Sequence, residues 1–184
     1  DTSNSDSAML SIWVNGSQVA IPANVGVNAN DTHASVFTTA GNGTVFFDDG
    51  NNVTLGDFFT TWRTNAGLAG NNANAIFNSS QLMTSVTDRT HTLQVFVNGQ
   101  LSSAFENEQI EDSDSIVLVY STNTVVSLNT NFGSIVVELF DAAKPITVTN
   151  FLNYVNDGDY VNSIFHRTTT FATAGVAVIQ GGGF

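Results

Sequence analysis

Apolar and polar residues alternate with period two through much of this chain, and short turn signals punctuate the alternation. Leu10-Ser11-Ile12-Trp13-Val14 alternates, Asn15-Gly16 offers two positions that tolerate positive φ, and Gln18-Val19-Ala20-Ile21-Pro22 returns, which predicts a tight β-hairpin. The same arrangement recurs at Leu93-Gln94-Val95-Phe96-Val97-Asn98-Gly99, followed by Leu101 to Phe105. Between the two hairpins, Thr44-Val45-Phe46-Phe47 predicts a strand. The period then changes: Leu55, Phe58, Phe59 and Trp62 share one helical face, and Thr54 stands where an N-cap is needed. Gly67 to Asn74 predicts a loop, Glu106 to Asp114 an acidic turn, and Ser115-Ile116-Val117-Leu118-Val119-Tyr120 a buried central strand.

The polar segment Ser121-Thr122-Asn123-Thr124 predicts a boundary. Beyond it, Val125 to Thr130 and Ser134 to Phe140 flank a turn at Asn131-Phe132-Gly133, which predicts another hairpin. Pro145 suits a helix N1 position, Val148, Phe151, Leu152 and Val155 recur at helical spacing, and Gly158 is placed to end the helix. Phe165 and Val176 to Ile179 complete the strand candidates. The expected organisation is a flexible polar lead at residues 1–8, a first module at 9–121 and a second part at 124–184. Its fold class is α+β, mainly β with a few short helices.

Two resemblances sharpen this organisation. The sequence of hairpin, helix, hairpin, acidic turn and closing strand over 9–121 resembles a β-grasp module, as in ubiquitin-like proteins. It is also similar to a small domain of secreted or membrane-associated prokaryotic proteins. That pattern often carries paired histidines in the strand before the helix; Phe37-Thr38-Thr39 stands there instead, which argues against a metal role.

The second part resembles a cyclophilin. Gly-x-Ile-x-x-Glu-Leu-Phe at 133–140, Lys-Pro-x-Thr-Val-x-Asn-Phe-Leu at 144–152, Gly-x-Tyr at 158–160, Phe165-His166-Arg167 and Gln180-Gly181-Gly182-Gly183-Phe184 follow in the family's order. The resemblance implies a partial cyclophilin-like β-barrel, truncated at its C-terminal side, and peptidyl-prolyl cis–trans isomerase (rotamase) chemistry on proline-containing peptide segments.

Rotation about an X-Pro bond must break amide resonance, a barrier of about 18–20 kcal/mol, and needs neither nucleophile, metal nor cofactor. The resemblance gives Arg167 the catalytic role of stabilising the pyramidal prolyl nitrogen, a task suited to a permanently charged, fixed fork of donors. It places Phe165, His166, Gln180, Ala177 and Val178 in substrate binding. Two departures weaken the likeness: the segment Thr168 to Ile179 is longer than the family's spacing, and Ala177 and Val178 stand where an aromatic and a Met-like residue normally line the proline pocket. Phe171, in the longer segment, is a candidate to fold back and fill that gap. Because the family's remaining pocket residues have no counterpart in this sequence, the 184 residues alone are expected not to accelerate isomerisation, whereas a parent chain that completes the barrel is expected to show weak activity. The alternative is an extracellular structural module that assembles with copies of itself, filament or surface-layer fashion, through unpaired strand edges.

Charge then excludes some partners. Four basic residues, Arg63, Arg89, Lys144 and Arg167, oppose sixteen acidic ones for a formal charge of −12, so a nucleic-acid partner is excluded by the lack of clustered cations. No apolar run is long enough to insert in a membrane. The chain has no cysteine, hence neither a disulfide nor a thiolate metal site. An acidic, lysine-poor surface rich in Asn, Ser and Thr leads to the expectation of an exported protein, extracellular or on the cell surface. Asn-x-Ser/Thr triplets at Asn15, Asn30, Asn42, Asn52 and Asn78 are no more frequent than this composition gives by chance. Asp48-Asp49 with Asn51 and Asn52, and Asp112 with Asp114, fit solvated turns better than calcium loops. His33 and His91 are isolated in the sequence.

Overall fold

The computed structural model describes residues 5–48 and 52–183. They divide into two compact units, with the boundary between Glu138 and Leu139.

The first unit is built on a seven-stranded sheet. Its strands are β1 (Ser5–Val14), β2 (Ser17–Val19), β3 (Val36–Phe37), β4 (Thr44–Asp48), β8 (Thr92–Val97), β9 (Gln100–Ser102) and β10 (Ser115–Ser121). A small separate sheet holds β5 (Phe77–Asn78), β6 (Gln81–Leu82) and β7 (Ser85–Val86). The main order is β3-β4-β1-β10-β8-β9, with β2 also paired to β1. β1 and β10 run parallel, from Met9 opposite Ser115 to Val14 opposite Tyr120, and the other pairings are antiparallel. Both Asn-Gly turns form as the sequence predicts, with positive φ at Asn15 and Gly16 and at Asn98 and Gly99.

The strand begins at Ser5, four residues before the predicted start at Met9. Ser5 to Ala8 pair with Asp48 to Val45, so this polar lead is a ladder strand and not a flexible segment. Ladder hydrogen bonds use backbone groups alone, and Ala8 is buried. Residues 1–4 of the predicted lead lie outside the described residues.

Helix α1 (Leu55–Thr64) begins with a capping box. The Asp57 amide donates to Thr54 Oγ1 at 3.2 Å, and the Thr54 amide donates to Asp57 Oδ2 at 2.9 Å. Its buried face is the predicted one: Leu55, Phe58, Phe59 and Trp62 pack with Leu10 and Ile12 of β1, Val95 of β8 and Ile116 and Leu118 of β10. Phe96 and Val119 lie outside this core cluster yet are buried, and strand alternation turns them to the opposite sheet face.

The hairpin of β11 (Thr124–Thr130) and β12 (Gly133–Leu139) is tied to both ends of that sheet. At one end Ser134 Oγ donates to the Asn98 carbonyl at 2.9 Å, where Gly99 passes so close that a Cβ would collide with Ser134 and Asn129. At the other, Glu138 Oε1 accepts from the buried Ser121 hydroxyl and, at 2.8 Å, from Asn123 Nδ2.

The second unit contains α2 (Pro145–Asp157), β13 (Phe165–Thr169), the single turn α3 (Phe171–Ala174) and β14 (Val178–Gly181). Pro145 occupies the first turn of α2 and Gly158, at φ 79°, ends it in the left-handed region. β11–β12 and β13–β14 each form a two-stranded ladder, and no closed barrel is present among the described residues. Closure needs hydrogen bonding continuous around every strand with a consistent shear, and these hairpins pair only within themselves. Among the described hydrophobic residues of this unit Val148 is buried, whereas Ile146, Phe171 and Ile179 are largely exposed.

Candidate functional site

The β13–β14 ladder sets the geometry of the residues implicated by sequence. Arg167 lies opposite Gln180, Thr168 opposite Ile179, Thr169 opposite Val178 and Phe165 opposite Gly181. Directly opposed residues share a face with Cβ atoms roughly 5 Å apart, so Arg167 and Gln180 project together. Val178 lies two residues from Gln180 and joins the same face. His166 is the extra residue of a bulge between Phe165 and Arg167, a device that re-aims side chains along a strand.

Ala177 stands apart from this ladder. It precedes β14 and is exposed, while Val178 is half-buried. The inserted segment folds into α3 and its caps: Thr173 Oγ1 accepts from the Thr170 amide at 3.1 Å, Gly175 ends the turn at φ 67°, and Thr169 Oγ1 donates to the Val176 carbonyl at 2.9 Å. Phe171 is 74% exposed and does not fill the space that a larger residue at 177 would occupy.

The chemistry open to this face is electrostatic. Arg167 brings a permanent charge with fixed donors and Gln180 an amide that can both donate and accept, a set able to hold a peptide backbone and a twisting amide. Arg167 is exposed, and a charge in water stabilises a nearby partial charge far less than one in a dry site.

Elsewhere the structure joins histidines that looked isolated in the sequence. His91 Nδ1 lies 2.9 Å from Asp88 Oδ2, and its ring stacks on Tyr120 at 5.2 Å. Asp88 Oδ1 also accepts from the amides of Thr90 and His91, both at 2.7 Å. Those backbone hydrogen bonds hold its carboxyl well below the usual carboxylate range. Burial pushes the Tyr120 phenol upward, and its hydroxyl donates to the Val86 carbonyl at 2.7 Å. His33 lies 3.7 Å from Asp48 and stacks on Phe37 at 4.0 Å. Sequence proximity was the available signal for His91, since Asp88 precedes it by three residues; the His33 pairing is long-range and had none.

Asp112 and Asp114 serve the fold as hydrogen-bond acceptors. Asp112 Oδ1 accepts from the Ser7 amide at 3.1 Å, and Asp114 accepts from Asn98 Nδ2 at 2.7 Å and the Glu111 amide at 2.9 Å. Asp49 and Asn51 lie outside the described residues. No group of three or more metal-ligating side chains is found among the described residues. Thr38, in the stretch before the helix, is a buried clasp: it donates to the Pro22 carbonyl at 2.8 Å and accepts from the Val25 amide at 3.0 Å. No described helix is long and apolar enough to cross a membrane.

Comparison with known proteins places these observations. Residues 125–184 match the family described as cyclophilin type peptidyl-prolyl cis-trans isomerase/CLD. Peptidyl-prolyl cis-trans isomerase cyp18 of Streptomyces antibioticus is 51% identical over 61 residues, covering 33% of this chain and 34% of that protein. Peptidyl-prolyl cis-trans isomerase B of Escherichia coli K12 is 47% identical over 60 residues, covering 33% and 34% respectively. The chain therefore spans about a third of the length of the curated relatives it matches. No solved structure matches the chain.

Proposed function

We propose that this protein serves peptidyl-prolyl cis–trans isomerisation, with residues 124–184 contributing Arg167 to the prolyl amide and Gln180 to the backbone of a proline-containing segment. The observation that carries this reading is the pairing of Arg167 with Gln180 on one face of a ladder within a stretch of about sixty residues that is 51% and 47% identical to two isomerases. Phe165 and His166 hold the strand, while Val178, on the face of Arg167 and Gln180, forms a shallow floor for the proline ring and Ala177 lies outside the ladder at its edge. An Ala in place of an aromatic forfeits a large contact surface, so binding at this face is weak. The exposed Arg167 also lacks the water-excluded setting in which preorganised charge is most effective.

A titration tests the reading. A short Ala-Pro peptide should perturb the side-chain NMR signals of Arg167 and Gln180 in the 184-residue chain, and Arg167→Ala should remove the response. No acceleration of isomerisation by this chain alone is expected. An unchanged response in Arg167→Ala would count against the assignment.

The first unit is best read as a β-grasp-like module. The run β2-β1-β10-β8-β9, its parallel β1–β10 pair and the helix after the first hairpin support this. The acidic, lysine-poor composition supports an exported protein. A second reading, self-assembly, is favoured by the exposure of Ile146, Phe171 and Ile179; light scattering that finds a strict monomer would remove it.

A further inference from the structure

Three glycines follow Gln180. In the structure each meets an aromatic ring. A Cβ on Gly181 would lie 2.9 Å from Phe165 Cδ1, one on Gly182 2.7 Å from Tyr160 Cε1, and one on Gly183 3.2 Å from His166 Cε1. Contacts under 3.0 Å are closer than real Cβ atoms approach, so any side chain at 181 or 182 would force the strand or the ring to move. Gly182 also has φ 79°, which only glycine adopts without strain.

The ring facing Gly182 is itself well supported. Tyr160 packs against Phe151 at 5.3 Å and Tyr154 at 6.2 Å, both on α2. Its carbonyl accepts from the Ser163 amide at 3.1 Å and from Ser163 Oγ at 2.8 Å. A line of contact therefore runs from α2 through Tyr160 to the backbone of Gly182, two residues past Gln180. Among the described strands β14 pairs with β13 alone, and Ile179, Gln180 and Gly181 are exposed.

We propose that Tyr160 is a positioning residue for the Arg167–Gln180 pair: its ring, backed by α2, is the stop against which the glycine run seats β14. The proposal rests on the isomerase reading for its functional meaning, but its structural content is separate. If the stop is removed, β14 can slide or lift relative to β13, and Gln180 leaves its place opposite Arg167.

The test uses the full 184-residue chain with Tyr160→Phe, Tyr160→Leu, Tyr160→Ala and Gly182→Ala, read by NMR signals of the Arg167 and Gln180 side chains and by titration with the Ala-Pro peptide. Tyr160→Phe keeps the ring and should match the wild type in both. Tyr160→Ala and Gly182→Ala should shift or broaden both side-chain signals and weaken the peptide response by about tenfold, the factor expected when one hydrogen bond of about 1.4 kcal/mol is lost. Tyr160→Leu retains bulk for the case in which Tyr160→Ala unfolds α2, and it should still disturb the pair, because a branched side chain does not present the flat ring that Gly182 fits.

If the wild type shows no peptide response but these variants still displace the two signals, the positioning role stands and the isomerase reading fails. If Tyr160→Leu and Gly182→Ala leave the signals and the response unchanged, the proposal is overturned.

Discussion

Glu138 lies within residues 125–184, the stretch that matches the isomerase family, yet its carboxylate serves the first unit. It accepts from the hydroxyl of Ser121, which is 2% exposed, and from Asn123 Nδ2 at 2.8 Å. Glu138→Ala removes two hydrogen bonds to a charged acceptor, each worth about 1.5–3 kcal/mol in favourable settings. Glu138 is half-buried and Asn123 can turn to water, so the lower end applies, for a total of about 2–3 kcal/mol. Most of that is the cost of leaving the Ser121 hydroxyl buried without its acceptor. At roughly 2–4 °C per kcal/mol for a chain of this size, the melting temperature should fall by about 4–12 °C. Glu138→Gln keeps an oxygen acceptor and should lose less than half as much. Thermal and urea unfolding, followed by the fluorescence of Trp13 and Trp62, both in the first unit, read the change there. A Glu138→Ala variant within about 0.5 kcal/mol of wild type, the scatter of neutral surface changes, would refute the claim that this hairpin is fastened to the sheet.

Three further outcomes are expected. Thr54→Ala removes the N-cap acceptor of α1 and should destabilise the first unit by about 1 kcal/mol, measured by urea unfolding, with Thr54→Ser restoring most of it. Gly99→Ala places a side chain at φ 77° against Ser134 and Asn129; it should cost more than about 1 kcal/mol, and Ser134→Gly should recover part of the loss. Asp88 has a folded-state pKa below its ordinary value of about 3.9. Its ionised form is therefore favoured by folding, so its contribution is fully present above pH 4 and is lost as the pH falls further through the lower folded value. Wild type and Asp88→Asn should differ in urea midpoint at pH 6 and converge as the pH drops well below 4.

What the sequence shows of the candidate site is local. Arg167 and Gln180 sit in short motifs whose order survives an inserted segment, and the insertion itself shows in the spacing. The bulge at His166, the exposed position of Phe171 and the rings beneath the glycines were not legible, since each depends on which strand lies opposite and how the intervening turn closes. His33 and Asp48 met through folding, as did Ser121 and Glu138.

By itself the sequence determined the elements whose causes lie within a few residues: the Asn15-Gly16 and Asn98-Gly99 turns, the capped face of Leu55, Phe58, Phe59 and Trp62, and the Pro145-to-Gly158 helix. Tertiary structure decided the partners. It drew Ser5 to Ala8 into the sheet opposite β4, set β1 parallel to β10 across most of the first unit, and gave the β11–β12 hairpin to that unit despite its isomerase-like sequence. Turn and cap preferences are fixed by local backbone energetics, whereas pairing and burial are settled only when distant segments compete for the same backbone hydrogen bonds and the same apolar surface.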